Sequence, residues 1–334
     1  TMTGPPRPPR NVEAVAREWF RESPPNRVRP LAVALVARST GELHEQLAFA
    51  REALAADPDA PFPATAKPAL RDRVFYAPQP LGPKGKVALV FPGSGNQFDG
   101  MGRDLSAQWP AALRRQQAEN ECLRSQFAPD HFWTGRALEA PARELMFGQV
   151  TVGSLVSDIV ASLGVRCDAM VGLSLGESAG LFGVRAWQGR DLMFRRMQQS
   201  TLFASDLAPP YDAARRYWAV PADEDVDWVI GVVGVPADDV LAVLRPGLRA
   251  YLLIVNTPAE CVIGGVRADV EKLAVVLGKS VTALRGVTLA HCEAGRTVEI
   301  PYRELHTLPV TPPAGVAIYS GAWGRAYKPT ERAC

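Results

Sequence analysis

Two regimes of apolar patterning alternate along the chain. Short aliphatic and β-branched runs closed by Gly or Pro predict strands, and longer stretches with apolar residues three and four apart predict helices. Leu31 to Arg38 and Arg73 to Ala77 are predicted strands on either side of a helix from Leu43 to Ala56. That helix is announced by Ser39-Thr40-Gly41-Glu42, a side-chain acceptor followed three residues later by Glu. Ahead of it, Val12 to Phe20 predicts one short helix in a leader broken by Pro5, Pro6, Pro8, Pro9, Pro24, Pro25 and Pro30. Each Pro fixes φ and removes a backbone donor, so the leader is no continuous helix or central strand. A second Pro-broken stretch runs from Pro58 to Pro83.

Lys86 to Phe91 predicts a buried strand that runs at once into Pro92-Gly93-Ser94-Gly95-Asn96-Gln97, a Gly-rich turn whose amides can face a ligand. Helices follow at 107–118 and 149–164. A strand from Ala169 to Gly172 then leads through Leu173-Ser174-Leu175-Gly176-Glu177 into an apolar helix beginning at Ser178. Between 228 and 290 the pattern changes to strand, helix, strand, strand, helix, strand: Trp228 to Val233, Pro236 to Leu244, Ala250 to Val255, Glu260 to Gly264, Ala268 to Leu277 and Val281 to Leu289. This βαββαβ order is that of a ferredoxin-like α+β insert. A helix near 298–306 and a strand from Val316 to Ser320 complete the pattern, and the expected class is α/β.

Composition narrows the function. The 334 residues suggest two or three folded units, and 47% hydrophobic with 22% charged residues is an ordinary globular balance. With 37 Lys and Arg against 35 Asp and Glu, the chain has no broad basic field, so nucleic acid is not an expected partner. No uninterrupted apolar run approaches a bilayer span, and the N-terminus has no apolar core of a secretory signal. No membrane partner and a cytoplasmic location are therefore expected. Cys122, Cys167, Cys261, Cys292 and Cys334 form no CxxC pair, and no metal site is expected.

The chemistry centres on Gly172-Leu173-Ser174-Leu175-Gly176, which fits a nucleophile elbow: a serine on a sharp turn between strand and helix, flanked by glycines where a side chain would collide with its neighbours. The helix N-terminus beyond Ser174 supplies amides and positive potential for a developing oxyanion. A serine hydroxyl needs a base, and the chain has four histidines. His44 lies in the N-terminal unit, His131 in a loop, and His306 in an expected surface helix beside Arg303 and Glu304. His291 directly follows an apolar strand, where catalytic groups of α/β folds collect, and it competes with a purely structural reading.

Five motifs in order carry a family resemblance: Phe91-Pro92-Gly93-Ser94-Gly95-Asn96-Gln97 with Gly100-Met101-Gly102; Gly172 to Glu177; Val255-Asn256-Thr257-Pro258 with Gly264-Gly265; Ala290-His291; and Tyr319-Ser320. Over residues 86–334 the chain resembles the acyltransferase of fatty acid and polyketide synthases, of the malonyl-CoA:acyl carrier protein transacylase type. Residues 1–85, with Arg29-Pro30-Leu31 and Ala37-Arg38-Ser39, resemble the linker between a ketosynthase and its acyltransferase. The resemblance implies a hydrolase-like parallel-sheet core at 86–227 and 291–334, a ferredoxin-like subdomain at 228–290, and an N-terminal α/β linker domain. With 43 residues after His291, the core is expected to lack the family's C-terminal part.

What the resemblance implies chemically is a ping-pong transfer. Ser174 attacks an acyl-CoA thioester, most simply a malonyl-type one, with His291 as base and then acid. The acyl group passes to the phosphopantetheine thiol of an acyl carrier protein, with no bound cofactor. The implied oxyanion hole is the amides of Leu175 and Ser94, and Asn256 falls on a motif near the site. Three positions depart from the family: Ser94 stands for a usual Gln, Leu173 for a usual His, and Gln199 for the Arg that pairs with a malonyl carboxylate. Arg195 and Arg196, one helical turn earlier, are the candidates to replace that Arg. Ala290, before the histidine, leaves room without choosing a substrate, and Cys292 stands where Ser is common. Two other readings use the same residues: a serine hydrolase or thioesterase, and a degenerate domain kept as a scaffold.

Overall fold

The computed structural model describes residues 11–24, 31–65, 67–221, 223–284 and 288–334. Pro5, Pro6, Pro8, Pro9, Pro25 and Pro30 of the leader, Arg29 of the linker motif, and residues 285–287 of the last predicted insert strand lie outside them. The chain divides into two compact units, Thr1–Lys86 and Val87–Cys334.

In the first unit, helix α1 (Val12–Glu22) starts where the Asn11 side chain accepts from the Ala14 amide. Strand β1 (Val33–Leu35), helix α2 (Thr40–Ala56) and strand β2 (Val74–Tyr76) follow, with β1 and β2 antiparallel. The Ser39 hydroxyl accepts from the Glu42 amide at 3.1 Å, capping α2 as its sequence predicts. Gln46 on α2 is fully buried and donates to the Val36 and Ala69 carbonyls, tying helix to strand. Ala50, Leu70 and Val74 form the small core.

The second unit holds two sheets. Strand β3 (Ala88–Phe91) is followed by short helices and by helix α3 (Ala142–Ser162), then strand β4 (Ala169–Gly172), helix α4 (Leu175–Gly183) and helix α5 (Arg190–Gln199). The predicted 107–118 helix is two, Arg103–Gln108 and Pro110–Glu119, because Pro110 cannot donate into a preceding turn and opens a new one instead. The second predicted helix begins earlier, at Ala142. This helix α3 has 21 residues and is long and apolar enough to cross a membrane by length and composition, but 56% of its most apolar window is buried inside the fold. Arg143, Glu144 and Asp158 punctuate it, which hid its length from a reading of uninterrupted apolar runs.

Strand β5 (Trp228–Val233), helix α6 (Ala237–Val243), strands β6 (Ala250–Thr257) and β7 (Glu260–Val266), helix α7 (Arg267–Leu277) and strand β8 (Thr282–Ala283) make the second sheet, antiparallel throughout, in the order β6-β7-β5-β8. Period-two alternation gives it two buried faces. Trp228 and Ile230 join the large core with Phe91 and Met170, while Val233 packs with Val240, Ile263, Val270 and Leu273 beneath α6 and α7. Helix α8 (Glu299–His306) leads to strands β9 (Ala317–Ser320) and β10 (Arg325–Tyr327).

The first sheet runs β3-β4-β9-β10, its first three strands parallel. Phe91 pairs with Gly172, so β3 and β4 end side by side. Both Gly-rich turns therefore leave the sheet at one edge, the carboxyl end, where parallel sheets place their ligands.

Candidate active site

Helix α4 begins at Leu175, three residues before the sequence expectation, because the chain reverses within the single residue Ser174. That serine has φ +53° and ψ −116°, left-handed backbone that side-chain-bearing residues rarely adopt. The flanking glycines leave room for it. A Cβ at Gly172 would lie 2.1 Å from the Gly176 carbonyl carbon, and one at Gly176 would lie 2.1 Å from the Phe91 carbonyl oxygen. Ser174 shares a positive φ with Ala128, Arg185, Tyr211 and Ala219 among the described residues, but it alone of the five sits between glycines packed on backbone, which fixes the direction of its hydroxyl.

Ser174 Oγ lies 2.7 Å from His291 Nε2 across 117 residues of sequence. The hydroxyl has a proton to give, and burial lowers the His291 pKa from its ordinary 6.5, so the imidazole is neutral near neutral pH and can accept that proton. Burial is the one cause of the shift; among the described residues no carboxylate contributes to it. The neighbouring Cys292 thiol is pushed up to about 11 by burial, which keeps it protonated and inert.

The Gly93 carbonyl accepts from Asn96 Nδ2 at 3.0 Å and from Gln149 Nε2 at 3.1 Å. In a trans peptide the C=O of one residue and the N–H of the next point in opposite directions. Two donors on the Gly93 oxygen therefore also fix the direction of the Ser94 amide. Gln149 sits on α3, and no motif in the sequence marked it; its burial in the middle of an apolar helix was the signal available.

A pocket of about 120 Å³ lies against this machinery, lined by Ser94, Ser174, Leu175, Ala290 and His291, by the apolar Met146, Phe147, Val150, Met193, Met197 and Phe203, and by Glu177, Tyr302 and His306. Outside it, a cavity of about 750 Å³ runs from Ser174 past Glu177, Tyr302, Arg303 and His306 toward Ser320 and Tyr327. Burial raises the Glu177 pKa, and one of its oxygens accepts from the Gly321 amide at 2.7 Å, holding the turn after β9 against α4.

Five expected residues do not line either cavity. Arg195 pairs with Glu121 at 2.9 Å, and Arg196 donates to the Glu304 and Thr307 carbonyls at the end of α8. Gln199 is an exposed terminal residue of α5. The cause is helical phase. Met193 and Met197, one turn apart, are the buried inward face, and Arg195 and Gln199, each two residues further on, point about 200° away. Asn256 is spent in the β6–β7 hairpin, donating to Glu260 at 3.0 Å. Leu173 is 47% exposed on the turn. Conversely His306, expected on the surface, lines both cavities.

Comparison with known proteins places this arrangement. No protein-family model matches the chain. It is 28% identical over 214 residues to the malonyl CoA-acyl carrier protein transacylase of Bacillus subtilis, covering 61% of each chain. It is 29% identical over 252 residues to a spectinabilin polyketide synthase system protein of Streptomyces orinoci, covering 72% of this chain and 6% of that one. The chain thus spans about three fifths of the bacterial transacylase and a small part of the synthase. Among solved structures, the acyltransferase domain from the second module of the salinomycin polyketide synthase superposes with a TM-score of 0.62 at 24% identity, over 96% of this chain and 68% of that one. The Helicobacter pylori malonyl-CoA:acyl carrier protein transacylase gives 0.58 at 20% identity, over 74% and 77%. The homologues and structural neighbours are transacylases and synthase acyltransferase domains, and the mixed α/β fold is theirs.

Proposed function

We propose that this chain is an acyltransferase that takes an acyl unit, of malonyl type, from coenzyme A, holds it as an ester on Ser174 and delivers it to the phosphopantetheine thiol of an acyl carrier protein. The observation that carries the reading is the 2.7 Å contact between Ser174 Oγ and neutral His291 Nε2 at a strained strand–helix turn. The relatives' transacylase names support it. In the forward half-reaction the Ser174 proton passes to His291 Nε2 as Oγ bonds to the thioester carbonyl carbon. The resulting oxyanion sits between the amides of Leu175 and Ser94. Its collapse breaks the C–S bond, and the imidazolium returns its proton to the departing thiolate. The second half repeats these steps with the carrier thiol as nucleophile.

Among the described residues no carboxylate is bonded to the His291 imidazole, which supports transfer over the hydrolase reading. In the same reading the parallel sheet is a hydrolase-like core, β5 to β8 with α6 and α7 are a ferredoxin-like insert, and residues 1–85 are a linker to a ketosynthase of the same synthase. A cytoplasmic location belongs to it too, supported by five free cysteines. Intact-protein mass spectrometry after brief exposure to malonyl-CoA tests it. A single adduct that a holo carrier protein then removes is expected, and rapid stoichiometric labelling of Ser174→Ala would overturn the assignment.

A further inference from the structure

A malonyl unit brings a carboxylate that must be received somewhere. With its thioester carbonyl between the Leu175 and Ser94 amides, that carboxylate stands one methylene away, and both cavities that Ser174 lines, the small pocket and the outer one, are also lined by His306. Half of the small pocket's lining is apolar, Phe147, Val150, Met193, Met197 and Phe203 among it; Ser94, Ser178 and Thr288 add neutral hydroxyls, which can donate a hydrogen bond but bring no charge to balance a carboxylate. Among its described lining residues two can carry positive charge, His291 and His306. His291 must be neutral to accept the serine proton. Arg303 and Arg332 line the outer cavity and not the small pocket, Arg303 paired with Glu299 and Arg332 beside Glu331, and Arg196 is committed to the two carbonyls at the end of α8.

We propose that His306 is the group that receives the free carboxylate of a malonyl unit, taking up a proton as the substrate binds. The inference rests on the malonyl-transfer reading and names the residue that gives that reading its acyl selectivity. The ring is held for the task. His306 Nδ1 lies 2.8 Å from the Tyr302 carbonyl, which has no proton to give, so Nδ1 carries the hydrogen and Nε2 is the atom left for the ligand. The Tyr302 ring stacks on the imidazole with centroids 4.3 Å apart, and the Trp187 ring closes another side at 6.2 Å.

The charges around it set the direction. Burial lowers the His306 pKa and outweighs the Tyr302 carbonyl bond, which raises it, so the empty pocket holds a neutral ring near neutral pH. Glu177 and His291 share the pocket, and burial raises Glu177 toward its neutral form, which lessens its repulsion of an incoming carboxylate. Glu299 and Arg303, further out, are paired with each other. An arriving carboxylate reverses the balance at Nε2 and draws a proton from solution. Malonyl capture is then favoured by acid, whereas an acetyl unit makes no such demand.

The experiment is the ratio of kcat/KM for Ser174 acylation by malonyl-CoA to that by acetyl-CoA, from about pH 5.5 to 8.5, because His291 affects both donors and cancels. The wild-type ratio is expected to fall with rising pH, with a slope approaching about tenfold per unit. His306→Gln is expected to lower the ratio at the acid end by about 10-fold or more and to flatten it. His306→Arg, with a fixed charge, restores the ratio without the pH dependence. Thermal unfolding checks that each variant is folded, and the wild-type profile needs no variant at all. Acylation with a flat wild-type ratio, or an unaltered ratio in folded His306→Gln, overturns this proposal and leaves the transfer reading standing; no Ser174 adduct with either donor overturns both.

Discussion

Replacing Gln149 by Glu should convert a structural hydrogen bond into a switch on the oxyanion hole. In the native chain the Gly93 carbonyl accepts from Asn96 and Gln149, each bond worth about 1 kcal/mol net. An ionised Glu at 149 cannot donate, and it would attract the flipped peptide's Ser94 N–H with about 1.5–3 kcal/mol. Against this stands the remaining Asn96 bond, about 1 kcal/mol, so the flip is favoured by about 0.5–2 kcal/mol. At 1.36 kcal/mol per decade, that leaves between about a third and a thirtieth of the molecules with the amide correctly aimed. Acylation should therefore slow by about 3- to 30-fold, below the ceiling of about 100- to 1,000-fold for losing a donor entirely. Adding Asn96→Ala should move the loss toward that ceiling. Acid should reverse it, because a protonated carboxyl at 149 can again donate to the Gly93 oxygen. Rapid-quench mass spectrometry of acyl-Ser174, expressed as variant over wild type at each pH, reads this directly and cancels His291. A ratio within twofold of unity at pH 8, or a loss that acid does not relieve, would refute the peptide-orientation reasoning.

Other consequences are simpler to test. Because burial depresses His291 below 6.5, acetyl-CoA acylation should rise with pH to a plateau through an inflection below that value, read by stopped acylation assays. The same depressed His291 and His306 pKa values mean that the unfolded chain binds more protons at these two sites in acid, so their contribution to stability should be full above about pH 6.5 and lost below it, a loss that calorimetry would show shrinking in His306→Gln. Gly176→Ala drives a Cβ to 2.1 Å from the Phe91 carbonyl, a clash of backbone that neither side can relieve; acylation should be abolished and thermal stability lowered. Arg195→Ala removes an exposed side chain that pairs with Glu121 and contacts Cys122, neither of which lines a cavity at Ser174, so the KM for malonyl-CoA should stay within about twofold of wild type.

The elements that the sequence made legible are those whose local pattern and tertiary role agree. Strand β4 and strand β5 occupy the predicted residues, because continuous or alternating apolar runs closed by glycine have one stable use in a sheet with two covered faces. Ser174 was legible for a related reason: Gly172 is demanded by the backbone of Gly176 and Glu177 and Gly176 by that of Phe91 on the neighbouring strand, and both demands fall within two residues of the serine and leave a local trace. Arg195 and Gln199, candidates by their count from Ser174, lie off the cavity because a count along a helix fixes distance but not phase, and Arg196 is instead taken up by the carbonyls of Glu304 and Thr307. The inward face was decided by which side chains could fill an apolar cavity, and Met193 and Met197 fill it. Gln149 and His306 escaped notice through the converse. Each owes its place to a partner more than 50 residues away or to a cavity built from several elements, and the neighbouring sequence, an apolar helix for one and a charged helix for the other, suggests core and surface respectively. What sets acyl selectivity in this reading is therefore not a motif but the one imidazole that lines the pocket beside its base, a property that emerges only when α5, α8 and the elbow are packed together.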